Sequence, residues 1–446
     1  MENDLSLRTE GDINFSPARK SWYASLDHET LQSLESDSES FLHQSLSTPC
    51  LNSIVSCNGI WITDQRGRKY MDFHGNSVHQ IGYGHPKVIA RVKEALDVLP
   101  FSPRRYTNPY AIQLSHQLLS LLPPALGKVL FCPGGTSAIG MALKLARRIT
   151  GRYQVVSFRD SFHGASLDAI AAGGEAQFKL HMGPVGAGNI TLPQPCQDSR
   201  SAESDAALLE ATLEKNPHIG AMVAETIRNT DVRIPGRDYW KAVREICDRH
   251  KVLLILDEIP TAFGRTGTLF AFEHFDIVPD ILCLGKGLGA GAFPLAAMVC
   301  RREFDVAQDI SLGHYTHEKS PVGCAAASAM LDVLEEEHLL QKAKDHESFL
   351  RVQLQHMKDA YRIISAVRGI GMLWGIELSG RDRAHSCEVA EQVMYACLER
   401  GLSFKVSQGN VIQWCPPLII RREELNDALH ILQQSLEEVV GTADFS

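Results

Sequence analysis

Three features are missing from this sequence of 446 residues: paired cysteine motifs, long apolar runs and basic clusters. The eleven cysteines are scattered without a CxxC pair, which favours a reducing cytoplasm. No uninterrupted apolar stretch approaches the ~20 residues that a membrane helix needs. Lysine and arginine form no stripe interleaved with aromatics, which argues against nucleic-acid binding. Residues 1–4 do not begin a basic segment followed by an apolar one, so we expect a cytoplasmic protein without an export signal.

The composition is that of a large folded chain. Its length allows about two or three domains, and the hydrophobic content of 44% is enough for substantial cores. The formal charge of −9 is spread along the sequence and indicates no particular partner. We see no internal repeat.

An acidic residue and a lysine follow two apolar runs. Val252–Leu256 reads as a fully buried strand of a parallel sheet and ends at Asp257, and residues 280–285 lead to Lys286. Ligands bind at the carboxyl ends of such strands, so both side chains are expected in one crevice. A poorly hydrated amine can form a Schiff base with pyridoxal phosphate, whose ring nitrogen is held by a carboxylate. The alternative for an isolated pair is a buried ion pair.

The residues around this pair carry an ordered motif that spans about forty residues of the sequence. Its segments are Asp257-Glu258-Ile259, Phe263-Gly264-Arg265-Thr266-Gly267, Pro279-Asp280-Ile281 and Lys286-Gly287, with Pro294 beyond. The motif resembles the signature of the class III aminotransferases, which are fold-type-I enzymes that use pyridoxal 5'-phosphate. The resemblance implies that Lys286 is the Schiff-base lysine, Asp257 the partner of the pyridine nitrogen and Ile259 the apolar floor of the ring. Pro260 and Ala262 depart from the usual Gln and Gly.

The same resemblance implies an α/β fold with a large domain, built on a mostly parallel seven-stranded sheet flanked by helices, and a smaller α+β C-terminal domain. We therefore expect an N-terminal arm with helices at 1–50, a pyridoxal-phosphate-binding large domain at 51–330 with antiparallel strands at 51–75, and the small domain at 331–446. Local patterns predict helices over Pro86–Val98 and Pro235–His250 and an irregular excursion over 173–205. A helix over 205–215 is expected to follow the excursion.

A strand, a glycine turn and a helix start meet at residues 129–137, which is the arrangement of a phosphate-binding turn. The family carries its cofactor-phosphate loop here, so Gly135 and Thr136 are the predicted donors, although Ser137 replaces the usual Glu. Phe162 lies in a segment that resembles the family's aromatic-His-Gly motif and would stack on the pyridine ring, with His163 beside it. Thr316 would reach the cofactor phosphate of the neighbouring subunit, which implies a homodimer with shared active sites.

Several predicted substrate contacts lie on loops. Asn76 and His79 belong to a glycine-punctuated loop that borders the pocket in the family, and Glu225 ends another buried strand. Arg104, Arg105 and Arg228 are the cations predicted to capture an anionic group, with ordinary surface charge as the alternative for the first two. His314 and His317 lie three residues apart, but no third ligand accompanies them, so we expect no metal site.

The reaction class depends on position 413. Family members that act on amino acids commonly have an Arg there to pair with a carboxylate, whereas this chain has Gln413. The chain looks most similar to the lyase members of the family that act on phosphorylated or phosphonate amines. We expect a lyase that releases ammonia from 1-hydroxy-2-aminoethylphosphonate to give phosphonoacetaldehyde. The alternatives are a transaminase acting on an amine or aminophosphonate, an ethanolamine-phosphate phospho-lyase, and a non-catalytic binding relative.

Overall fold

The computed structural model describes residues 14–45, 47–186, 188–197 and 202–442. Part of the N-terminal arm predicted at 1–50 therefore lies outside the described residues. The helices are Pro17–Ser25 (α1), His28–Ser40 (α2), Pro86–Val98 (α3), Pro109–Ser120 (α4), Gly135–Thr150 (α5), Leu167–Ala172 (α6), Ala202–Lys215 (α7), Tyr239–His250 (α8), Pro321–Glu336 (α9), Leu339–Ala360 (α10), Arg383–Glu399 (α11) and Arg422–Thr442 (α12).

The strands form three sheets. They are Ile54–Asn58 (β1), Trp61–Asp64 (β2), Lys69–Asp72 (β3), Leu126–Cys132 (β4), Gln154–Phe158 (β5), Ile190–Leu192 (β6), Ile219–Glu225 (β7), Leu253–Asp257 (β8), Ile281–Leu284 (β9), Ala296–Arg301 (β10), Ile364–Ile370 (β11), Leu373–Leu378 (β12), Leu402–Ser403 (β13), Lys405–Ser407 (β14) and Val411–Trp414 (β15).

The largest sheet has seven strands in the order β4-β10-β9-β8-β7-β5-β6. Only β10 runs antiparallel to its neighbours, so the predicted mostly parallel sheet and α/β class are confirmed. Both faces of the central strand β8 are covered. Leu254 and Leu256 pack in the same cluster as Trp240 of α8, whereas Ile255 packs with Ile139 of α5. Burial on both faces explains why the sequence of β8 is uninterrupted apolar rather than alternating.

Two smaller sheets lie outside this layer. The strands β1, β2 and β3 pair antiparallel, and β13 from the C-terminal part of the chain adds in parallel to β3. The strands β11, β12, β15 and β14 form an antiparallel sheet in that order. These pairings provide the small C-terminal sheet that was expected. The boundaries at residues 50 and 330 remain predictions.

Local predictions agree with most elements and fail at two. Helix α3 has the predicted bounds, because Pro86 occupies its first turn and Pro100 follows its end. Helix α8 begins at Tyr239 rather than Pro235, since a turn closed by the Tyr239 N–H and the Gly236 carbonyl precedes it. The excursion over 173–205 was wrongly expected to be irregular throughout, because β6 adds to the sheet edge within it. The helix predicted over 205–215 is present as α7 and begins three residues earlier, at Ala202. Among the described residues, no helix is long and apolar enough to cross a membrane.

Candidate active site

A cavity of about 550 Å³ opens at the carboxyl ends of β7 and β8, where the sequence placed the site. Its walls come from both the large sheet and the C-terminal segment. Nine of the residues predicted for the site line it: Asn76, Gly135, Thr136, Phe162, His163, Glu225, Asp257, Ile259 and Lys286. The volume falls in the usual range for a cofactor or small-molecule site, about 300–1,000 Å³.

Asp257 is the last residue of β8, and its carboxylate is held by two donors. The Nδ1–H of His163 donates to Asp257 Oδ2 at 2.8 Å, and the Ile259 N–H donates to Oδ1 at 3.0 Å. Both Asp257 and His163 are 2% exposed. His163 therefore orients Asp257. The sequence had placed His163 only beside Phe162 and gave no sign of this contact. The arrangement fits a carboxylate that pairs with a buried ring N–H.

Lys286 follows β9 and points its amine toward the same cavity. Its φ of 44° is left-handed, which is uncommon for a residue with a side chain. Such strain is retained where the surrounding structure enforces a functional geometry. Burial lowers the pKa of the Lys286 amine, and the charges of Asp257 and Glu225 act in the opposite direction. A lysine of lowered pKa is the kind that serves as a nucleophile and a base.

The start of α5 forms one end of the cavity. Gly135 and Thr136 contribute the first N–H groups of this helix, which have no acceptor within the helix and lie at the positive end of its dipole. A Cβ at Gly135 would approach Ile259 Cδ1 to 2.7 Å, so glycine lets the helix start pack directly on Ile259. The strand, glycine turn and helix start predicted at 129–137 are present, and the binding of a phosphate there stays a prediction.

Phe162 contributes an apolar face. Its ring is 37% exposed, lines the cavity and packs on Phe178 with centroids 4.9 Å apart. Ile259 lines the cavity as well. A turn of anion-binding N–H groups, a carboxylate, an amine and apolar side chains thus converge on one volume. These groups fit the phosphate, ring nitrogen, aldehyde and ring of pyridoxal phosphate, respectively.

Glu225 lies at the end of β7, directly beside Asp257 in the strand register. It is 7% exposed, and its Oε1 accepts the Asn229 N–H at 3.2 Å. The Asn229 carbonyl in turn accepts a hydrogen bond from Gln413 Nε2. Gln413 is 1% exposed, so the position that carries an Arg in amino-acid transaminases here holds a neutral, internally bonded amide.

Arg228 was predicted to bind the anionic group of the substrate, which stays a prediction, and in this structure its guanidinium has protein partners. Its guanidinium lies 2.7 Å from Asp231 Oδ1 and donates to the Asp160 carbonyl at 2.7 Å. It is 4% exposed and lines a second cavity of about 320 Å³ rather than the one that holds Lys286. The pairing arises because the turn after β7 brings Asp231 back over Arg228. His79 also lies behind the wall, where its Nε2 bonds to the Asp72 carbonyl at 2.9 Å.

Arg104, Arg105 and Thr316 do not line the cavity of this chain. Arg104 donates to His314 Nε2 at 2.9 Å, which places the loop at 102–107 beside the segment that carries Thr316. Arg105 and Thr316 are exposed. The sequence assigned Thr316 to a neighbouring subunit, and a single chain leaves that prediction untested. No cluster of three metal-binding side chains occurs in the described part of the chain.

Two cations at the cavity were missed from the sequence. Arg19 of α1, which donates to the Pro49 carbonyl at 2.8 Å, and Lys405 of β14 both line it. Burial lowers the pKa of Lys405 to about 8. His74 also lines the cavity and was not singled out. Their positions far apart in the chain gave no local signal that they would meet.

The sequence matches the family Aminotransferase class-III over residues 44–436. The chain belongs to this family. It is 50% identical, over 97% of its length and 96% of the relative, to an (R)-1-hydroxy-2-aminoethylphosphonate ammonia-lyase from Vibrio splendidus. It is 31% identical to an acetylornithine aminotransferase from Caldanaerobacter subterraneus, over 86% of this class III chain and 95% of the relative.

Solved structures of class III type agree in fold. An amine transaminase from an uncultivated Pseudomonas species, in its PLP-bound form, superposes with a TM-score of 0.84 at 28% identity and covers 90% of this chain and 99% of that one. A taurine:2-oxoglutarate aminotransferase from Bifidobacterium kashiwanohense, in complex with PLP and glutamate, superposes with a TM-score of 0.86 at 25% identity. That match covers 92% of this chain and 99% of the other. The fold-type-I architecture expected from the motif is confirmed.

Proposed function

We propose that this enzyme is a pyridoxal-phosphate-dependent ammonia-lyase that converts 1-hydroxy-2-aminoethylphosphonate into phosphonoacetaldehyde and ammonia, a step of phosphonate degradation. The observation that carries the proposal is the near-full-length identity of 50% to the ammonia-lyase from Vibrio splendidus. The internally bonded Gln413 supports it, because a neutral amide cannot supply the charge-assisted pair that an amino-acid transaminase needs for a carboxylate.

The residues of the cavity would hold the cofactor as follows. Lys286 would hold its aldehyde carbon, Asp257 its ring nitrogen, the Gly135–Thr136 turn its phosphate, and Phe162 and Ile259 its ring faces. When bound, pyridoxal phosphate supplies an electron sink next to the substrate's aminated carbon. Lys286 then accepts the proton from that carbon, because its lowered pKa leaves a larger share of the amine neutral near pH 7.

The phosphonate requires cations, and we assign it to Arg19 and Lys405 at the cavity wall. Guanidinium and ammonium groups bind phosphonate oxygens through charge-assisted hydrogen bonds. An anion beside Lys405 would raise its lowered pKa again and so favour the charged form. Arg19→Met and Lys405→Met should raise the KM for the substrate more than they lower kcat. An unchanged KM in both variants would contradict the assignment.

We further propose a cytoplasmic homodimer with shared active sites. The free state of all eleven cysteines supports the compartment. Thr316 is exposed, which supports its predicted contact with the cofactor phosphate of the partner subunit. The hydrogen bond from Arg104 to His314 would bring Arg104 and Arg105 to the same shared site. Sedimentation should give a dimer. Thr316→Ala should then weaken cofactor binding.

The direct test is ammonia release from the purified holoenzyme without any keto acid. We expect one ammonia and one phosphonoacetaldehyde per 1-hydroxy-2-aminoethylphosphonate consumed, and no release from unsubstituted 2-aminoethylphosphonate or phosphoethanolamine. Lys286→Ala should abolish both release and the cofactor's absorbance band while the chain stays folded. Turnover that requires pyruvate or 2-oxoglutarate would instead establish a transaminase, and release from phosphoethanolamine alone would establish a phospho-lyase.

A further inference from the structure

Glu225 presents a carboxyl oxygen that the described structure leaves without a partner. Its Oε1 accepts the Asn229 N–H, but Oε2 is buried and makes no hydrogen bond to any described residue. The side chain lines the cavity that also holds Lys286. Buried polar atoms are nearly always hydrogen-bonded, so an unsatisfied oxygen on a side chain that lines the cavity is a candidate partner for a bound group.

The environments of Glu225 and Asp257 differ although the two residues are adjacent in register. Asp257 uses both oxygens to accept N–H donors, which commits it to an acceptor role. Burial instead raises the pKa of Glu225 to about 7, with the charge of Asp257 adding to this rise and those of His163 and Arg228 opposing it. Neighbouring carboxyl groups whose environments separate their protonation in this way commonly divide acid and base roles.

The proposed elimination needs a proton donor at this place. Hydroxide is a poor leaving group, and a positioned acid that protonates it typically contributes about 10²- to 10⁴-fold in rate. Lys286 is engaged in removing the proton from C2 and so starts the step as a base. Arg19 and Lys405 are assigned to the phosphonate. Of the two acidic residues that line the cavity in the described chain, Asp257 uses both oxygens to accept N–H donors, whereas Glu225 keeps one oxygen without a protein partner.

We propose that Glu225 is the general acid that protonates the hydroxyl group as it leaves C1 of the substrate. The inference rests on the proposed lyase function. The C2–H bond breaks and its proton goes to Lys286. As the C1–O bond breaks, the electron pair left at C2 forms the C1–C2 double bond, and the oxygen leaves with the C1–O bonding pair and takes the Glu225 proton to become water. Hydrolysis of the resulting enamine consumes one water and releases ammonia, while Lys286 gives its extra proton to solvent and Glu225 regains one from solvent.

The test compares Glu225→Gln with the matched control Glu175→Gln. The glutamine keeps the size and the acceptor for the Asn229 N–H but has no acidic proton. Glu175 is a second buried acid with a pKa raised to about 8, but it does not line the main cavity. We expect ammonia release from 1-hydroxy-2-aminoethylphosphonate to fall about 10²- to 10⁴-fold in Glu225→Gln and to stay at the wild-type level in Glu175→Gln.

Two further substrates separate acid catalysis from structural damage. The 1-fluoro analogue loses fluoride, which departs without a proton, so Glu225→Gln should process it nearly as fast as the wild type. Exchange of the C2 protons of 2-aminoethylphosphonate in D2O needs only Lys286 and the cofactor and should be unaffected. Equal losses with the fluoro analogue and in the exchange, or full activity with the hydroxy substrate, would overturn the role of Glu225.

The protonation state has a readout that does not depend on turnover. Infrared difference spectra of wild type minus Glu225→Gln should show a protonated carboxyl band that fades as pH rises through about 7. The charged and titratable groups that face Glu225 are His163, Glu175, Arg228, Asp257 and Lys286. A missing band would overturn the inference by itself. Wild-type enzyme that releases no ammonia from the hydroxy substrate, but shows the band, would refute the function and leave an acid that serves another substrate.

Discussion

Replacing Gly135 by alanine should weaken cofactor binding, whereas the same change at Gly134 should not. A Cβ at Gly135 would lie 2.7 Å from Ile259 Cδ1 and 3.0 Å from Cγ2. Carbon atoms pack best at about 3.5–4.0 Å, so Ile259 would have to retreat by roughly 1 Å. Ile259 lines the cavity, so a displacement of its side chain into the cavity is open to it.

Overpacking of this size costs about 1–3 kcal/mol. If the displaced Ile259 occupies the space of the cofactor ring, that cost falls on the bound state and raises Kd by about 5- to 150-fold. Titration of the apoprotein with pyridoxal phosphate, followed by absorbance, measures this change. A Cβ at Gly134 meets nothing within 4 Å, so Gly134→Ala is the matched control. Equal affinities for the two variants would refute the packing argument.

Three further predictions concern stability. Arg228→Ala should lower the free energy of unfolding by about 1.5–3 kcal/mol in urea, because it removes the contact with the buried Asp231, which keeps Arg233 as its second cation; a loss of turnover with unchanged stability would instead support Arg228 as a substrate contact. Gly371→Ala should destabilise the folded chain far more than Gly151→Ala. Both glycines have a left-handed φ, but only a Cβ at Gly371 would strike backbone atoms of Thr266 and Gly267. Similar melting temperatures for the two variants would contradict this. The folded chain should hold a proton on Glu175 that the unfolded chain releases, because burial raises its pKa from 4.5 to about 8. This contribution to stability is complete below pH 4.5 and is lost as pH rises through 8. The free energy of unfolding is measured against pH for wild type and Glu175→Gln, and parallel curves for the two proteins would disprove the prediction.

The sequence alone determined the frame of the site. Strands buried on both faces must be continuous in apolar residues, so β8 and β9 could be recognised and their ends located at Asp257 and Lys286. The glycine turn before α5 was recognisable because a helix start after a strand is a local pattern. The family motif supplied the roles that these residues have in relatives. These features depend on neighbours in the chain, and a sequence contains that information directly.

Only the tertiary structure decided which charges reach the cavity. Arg228 looked available in the sequence, but the fold turns Asp231 onto it. Arg19 and Lys405 come from opposite ends of the chain and both line the cavity, and no local periodicity could indicate that. The short strand β6 escaped prediction because its three residues are held by pairing with β5 rather than by their own pattern. Pairing, burial and protonation are set by contacts between distant segments, so they become visible only when the chain is folded.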